Sequence, residues 1–376
     1  MSFELDYCTV SDLIFISCVY KLFDFYVSLL LPFSNNQPKI YPMNLKTHYM
    51  GIEIKNPIII GSSGLTVNLS NLRRMEDNGA GAVVLKSVYE EQILLESGYF
   101  PKPGRETIYN NLNTAPDASE YLHTYIKDHT LTDYLKFLSD AKRSIKIPVF
   151  ASINCYSAGE WLPFVNQIQD TGADGIELNI YIPPADFNSS PGDMEKLYFE
   201  VIEAIVSRVN IPVSLKMGHN FPNLSATIKR FSDTGIKGLV LFNKPYSTDI
   251  DLNTLTVTYP GLFTLPGEFA YPLRWGSLLS GKLGCGMIAS TGVHHFEAIL
   301  KLLLAGFDGV QTASVFYKND YSIIREMIER IERWMTTKRF ECIADFKGKL
   351  SHPNPESMEI DERIEYIRLF TRYQIV

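Results

Sequence analysis

Two lysines and three side-chain amides stand where short apolar runs give out: Lys86, Asn154, Asn179, Lys216 and Asn243. An amide both donates and accepts hydrogen bonds, so a ring of them suits a flat ligand with alternating carbonyl and N–H groups. A lysine supplies positive charge where such a ring becomes anionic. Any one of these residues alone reads as a solvated rim residue, and the set carries the argument. A second feature lies in residues 286–315, GMIASTGVHHFEAILKLLLAGFDGVQTASV. There two apolar runs each break into small residues, Ser290-Thr291-Gly292 and Thr312-Ala313-Ser314. Small residues let backbone N–H groups approach phosphate oxygens, and a following helix N-terminus adds a favourable dipole. The competing reading is a pair of ordinary strand-to-helix turns.

The elements that must position these residues follow from hydrophobic period. Apolar runs at Pro57–Gly61, Ala82–Lys86, Ile147–Ile153, Gly175–Asn179, Ile211–Lys216, Gly238–Asn243, 285–289 and 308–312 alternate with helical patterns at 69–78, 131–145, 157–171, 193–209, 224–234, 296–304 and 320–337. In the sixth of these, Phe296, Ile299, Leu300, Leu303 and Leu304 form an i, i+3, i+4 stripe that Gly306 stops. Strands apolar throughout, separated by helices, indicate a parallel sheet covered by helices. About eight such units predict an α/β fold, a (β/α)8 TIM barrel with loops inserted at its C-terminal face. No glycine-rich dinucleotide fingerprint follows the first strand, which counts against a doubly wound sheet. Residues 44–55 predict a small hairpin before the barrel, and the polar insertion 246–270 predicts another. The long polar segment 90–130 is a candidate cover for the site.

Composition bounds the remaining choices. The chain has 376 residues, 45% hydrophobic and 20% charged, with a net charge of −7. Without a basic block, nucleic acid is not an expected partner. Cys8, Cys18, Cys155, Cys285 and Cys342 show neither disulfide-framework nor metal-type spacing, as reduced thiols in a cytoplasmic protein would. Residues 1–42 form an apolar extension. Its stretch 13–33 is interrupted by Lys21 and Asp24 and falls short of a transmembrane span. It reads as a membrane-surface helix, an extra packing helix, or a segment outside the functional protein with Met43 as the working start, and the last is preferred. The barrel is expected over 43–352 and a helical appendage over 353–376.

The stretches KNPIIIGSSGLT, AVVLKSVYEEQ, IPVFASIN, GIELNIYIPP, IPVSLK, GLVLFN, IASTGV, GVQTASVF and CIADFKGKL, in this order, resemble the dihydroorotate dehydrogenase family, FMN-dependent barrels of pyrimidine synthesis. The match is closest to a dihydroorotate dehydrogenase-like branch. The resemblance implies that Lys86 lies near the flavin and substrate edge, Lys216 beside the flavin N1–C2 carbonyl edge, and Asn154 against the isoalloxazine. It implies that Asn179 and Asn243 hold the pyrimidine. Ser63 and Gly64 would pass close to the flavin, and Ser290, Thr291, Gly292, Thr312, Ala313 and Ser314 would seat the phosphate. It also implies a homodimer, and an electron-transfer partner for a chain lacking an iron–sulfur cysteine cluster. One position departs from the pattern. The family's fourth-strand motif places a Cys or Ser base where this chain has Ile182, which cannot accept a proton. Pro184 replaces a substrate-binding asparagine. Tyr181, Ser189 and Ser190 are the candidate substitutes, and Cys155 is expected to line the flavin pocket. The alternatives are an FMN barrel with another substrate, one without turnover, or a phosphate-dependent lyase or isomerase.

Overall fold

The structure, a computed structural model, describes residues 43–96, 121, 125–126, 129–159, 161–182, 190–245, 247–259, 261, 263–352, 354 and 357–372. Eight parallel strands close on themselves: β1 (Ile58–Ile60), β2 (Ala82–Val84), β3 (Val149–Cys155), β4 (Gly175–Ile180), β5 (Val213–Met217), β6 (Gly238–Leu241), β7 (Gly286–Ser290) and β8 (Gly309–Thr312). Each pairs with the next, and β8 returns to β1 through Gln311 opposite Ile59. The expected barrel is therefore present. Its helices are α1 (Leu69–Asp77), α2 (Leu131–Ser144), α3 (Pro163–Asp170), α4 (Pro191–Val206), α5 (Leu224–Ser232), α6 (Ala270–Leu279), α7 (Phe296–Leu304) and α8 (Ser322–Lys338). Helix α3 begins later than its periodicity predicts, because Pro163 fits the first turn of a helix, Ser157 lies in a bend and Trp161 and Leu162 form a turn instead.

Strand alternation divides the apolar residues into two bodies. Ile58, Ile60, Val83, Val149, Ala151, Ile153, Ile176, Leu178 and Leu215 point outward and pack under the helices. Ile59, Ala82, Val84, Phe150, Val240 and Ile288 point inward. The predicted hairpin, Thr47–Tyr49 paired with Ile52–Ile54, inserts Tyr49, Met50 and Ile54 among these inward residues. A Cβ on Gly175 or Gly238, the first residues of β4 and β6, would lie within 3.1–3.4 Å of Met50. The hairpin thus plugs the N-terminal end of the barrel and leaves the C-terminal end open.

The tail CIADFKGKL folds back onto the start of the domain. Asn44 donates to Glu341 O and accepts from Ile343 N, while Gly348 N and Leu350 N donate to the last carbonyls of α7 at Leu303 and Leu304. The appendage is a helix, Met358–Arg372, with no buried residue and with Glu362 paired to Arg274 of α6. The insertion after β6 carries the second predicted hairpin, Asp249–Asp251 with Thr256–Thr258. Among the described residues no helix is long and apolar enough to cross a membrane. The extension 1–42, and with it 13–33, lies outside the described residues. So does most of the expected cover at 90–130, whose first residues, Glu90–Glu96, form a short helix.

Candidate active site

On β4, β5 and β8 the inward row continues past the plug and turns polar. Glu177 and Asn179 on β4, Ser214 and Lys216 on β5, and Gln311 on β8 all project into the barrel. Above them opens a cavity of about 560 Å³, within the range of small-molecule sites. Lys86, Asn179, Lys216 and Asn243 all line it, so four of the five sequence-predicted end residues meet on the wall of one cavity. Asn243 Nδ2 donates to Asn179 Oδ1 at 2.9 Å, fixing the amides as a pair with one donor and one acceptor edge still facing the cavity. Lys216 is 8% exposed, and its Nζ donates to Gln311 Oε1 at 3.1 Å. Lys86 Nζ reaches the Tyr89 hydroxyl at 3.2 Å and lies 4.9 Å from that ring's centroid.

Asn154 does not join this wall. It sits beside Asn179 in register on β3 with Tyr89 on its other side, and Tyr89 is the one of these neighbours that joins Asn179 on the cavity. Cys155 is a clear correction to the expectation of pocket lining. The period of two turns it away from Asn154 into the strand–helix layer, where it is fully buried. Burial and the nearby Glu90 and Glu91 push its thiol well above the usual range, so it is inert there.

The two small-residue turns meet on the cavity wall. Ser290, Thr291, Gly292, Thr312, Ala313 and Ser314 line it, together with Ser63 and Gly64. Thr291 and Gly292 have φ of 77° and 70°, and a Cβ on Gly292 would strike Phe269 N at 2.1 Å. A β-branched residue at positive φ is an outlier of the kind held in place at ligand clamps. After β8 the chain makes a short 3-10 turn, Ser314–Tyr317, before α8. Barrels frequently form a phosphate-binding site from the loops after the last two strands and a short extra helix of this kind.

Several lining residues had no sequence signal of their own. Tyr259, Gly261, Phe263 and Thr264 belong to the limb of the insertion that returns from its hairpin toward α6. That limb is pinned over the cavity by Thr264 N to Ser314 Oγ at 2.9 Å and by Lys244 Nζ to Phe263 O at 2.8 Å. With Lys244, which is paired to Glu268 at 3.0 Å, three lysines and no carboxylate are among the described lining residues. Glu177, beneath the floor, could have been found by stepping back two residues from Asn179, and Gln311, which lines the cavity, stands one residue before the end of β8. Ile182, at the family's base position, packs against the core, and of the candidate substitutes Tyr181 is absent from the described cavity wall. Ser190 is the exposed N-cap of α4, and Ser189 and Pro184 lie outside the described residues.

Fold and cavity define the class: a (β/α)8 barrel with a lysine- and amide-lined cavity over its C-terminal rim. Residues 44–335 match the sequence signature of dihydroorotate dehydrogenase, and the chain belongs to that family. It is 24% identical over 316 residues to the dihydroorotate dehydrogenase B (NAD(+)) catalytic subunit of Thermoplasma volcanium, covering 81% of this chain and 98% of the relative. It is 27% identical over 321 residues to the protein of the same description from Methanosarcina acetivorans, covering 83% and 96%. The corresponding Methanocaldococcus jannaschii protein is 26% identical over 303 residues, covering 76% and 92%. The chain is accordingly an oxidoreductase acting on a CH–CH bond in a flavin-dependent family.

Proposed function

We propose that this protein oxidises dihydroorotate to orotate with FMN as its resident cofactor. The observation that carries the reading is one cavity holding the Asn179–Asn243 pair, Lys86 and Lys216 beside the small-residue cup. The residues present fit an FMN. Backbone N–H groups of 290–292 and 312–314 would seat its phosphate, and Ser63 and Gly64 would pass along the ring. When bound, the flavin supplies acceptance of a hydride from substrate carbon.

The chain's own residues do the rest. Lys216, held from below, places positive charge where the reduced ring becomes anionic. The amide pair orients a planar pyrimidine through complementary donors and acceptors, and Lys86 adds positive charge at the substrate edge. The C5 proton that is lost with the hydride cannot go to Ile182, so it would pass to one of the candidate hydroxyls Tyr181, Ser189 and Ser190 or to water at the cavity mouth. The relatives' description as NAD(+)-type catalytic subunits, together with the lack of a cysteine cluster in this chain, supports electron exit through a separate partner protein. A homodimer in the cytoplasm completes the reading.

Anaerobic mixing of the purified protein with dihydroorotate tests it. The expected result is a yellow protein bleached by dihydroorotate and recoloured by an oxidant. A colourless protein that takes up no FMN, or a yellow one that dihydroorotate leaves unbleached, would overturn it.

A further inference from the structure

Below the cavity floor a buried carboxylate has no obvious structural duty. Glu177 is 0% exposed. Its Oε2 accepts from the Tyr49 hydroxyl at 2.8 Å and from Gln311 Nε2. Its Oε1 has no hydrogen-bond partner among the described residues and lies 3.8 Å from Lys216 Nζ. Gln311 bridges the pair, donating to Glu177 through Nε2 and accepting from Lys216 through Oε1. Tyr49 is itself tied to Ser214 Oγ at 2.9 Å, two residues before Lys216 on β5. Burial and the neighbouring Glu177 push the Tyr49 phenol far above its usual range, which keeps it a donor to the carboxylate.

An isolated buried carboxylate is costly, and here the compensating charge is the one lysine that rises from the barrel floor into the cavity. We infer that Glu177 is a positioning residue: supported by Tyr49 and Gln311, it holds the Lys216 ammonium aimed at the cavity floor. The plug hairpin at the closed end of the barrel is thereby linked to the charge offered at the open end. Without the carboxylate, Lys216 keeps only the Gln311 oxygen as a partner and is free to turn toward the mouth. Less positive charge would then stand beside the bound ring.

This inference rests on the flavin reading above, and the experiment separates the two. The midpoint potential of the bound flavin is measured in the wild type, Glu177→Gln, Lys216→Met and the double variant. The expected result is a lower potential in Glu177→Gln than in the wild type, and no further fall when Glu177→Gln is added to Lys216→Met. A potential unchanged or raised in Glu177→Gln, or an equal fall in both backgrounds, would overturn the inference, because Glu177 would then not act through Lys216. Tyr49→Phe removes one hydroxyl and serves if Glu177→Gln does not fold. It should lower the potential by less in the same direction, and an unchanged potential there counts against the inference. A wild type that holds no flavin rejects the preceding section instead.

Discussion

At the residue scale, the site depends on two amides that satisfy each other. Asn243 donates to Asn179 at 2.9 Å, which leaves each side chain one defined orientation toward the cavity. Removing either frees the other to rotate and leaves a ligand group without its partner, a loss that costs about 1–3 kcal/mol for a buried polar group. Asn179→Ala and Asn243→Ala are each expected to lower kcat/KM for dihydroorotate by about 10- to 100-fold, since 1.4 kcal/mol is a factor of ten. Flavin content should remain that of the wild type. The double variant should lose less than the product of the two, because the residues form one unit. Steady-state kinetics with a flavin absorbance spectrum reads all three.

At the scale of elements, the connection from β7 to α7 is tightly constrained. Gly292 combines φ of 70° with a backbone approach that leaves no room for a Cβ against Phe269 N. Phe269 ends the 3-10 turn Pro266–Phe269, through which the insertion passes into α6. Gly292→Ala is therefore expected to cost about 2–4 kcal/mol of stability through combined strain and displacement. It should also abolish FMN retention by shifting the cup. Urea unfolding and the flavin content of the purified variant check both parts. A variant as stable as the wild type would mean that the α6 connection yields easily.

At the scale of the whole molecule, stability responds to pH through a buried group next to the site. Glu90 is 0% exposed, and its carboxylate accepts from Tyr156 N at 2.8 Å, Ser157 N at 3.0 Å and the Ser157 hydroxyl. It thereby ties the segment after β2 to the loop after β3. Burial outweighs these bonds and raises its pKa from 4.5 to about 7. Folding then takes up a proton between those values, so the contribution of Glu90 is fully present below pH 4.5 and is lost as pH rises through about 7. Glu90→Gln keeps the shape without the charge. Relative to the wild type, its unfolding free energy should gain of order 1–3 kcal/mol between the acid and neutral ends of that window. Parallel urea titrations at several pH values measure the difference, and parallel curves for the two proteins would refute it.

The sequence by itself determined the barrel, its strand order, both small hairpins and the residues at the strand ends. Each rests on local information: a run of apolar residues, a helical stripe, a glycine stop. It also determined the family, because the matching stretches occur in order along the chain. Tertiary structure alone decided what lies between and beneath them. Glu177 and Gln311 stand 134 residues apart and meet only because closure of the barrel brings β4 and β8 to face each other across its axis. Within strands apolar enough to look uniformly buried, only the realised alternation separates Cys155, turned toward the helices, from Asn179, turned toward the cavity. The limb of the insertion that lines the cavity was illegible for the same reason. Its position is set by single hydrogen bonds to distant loops, which leave no period in the chain.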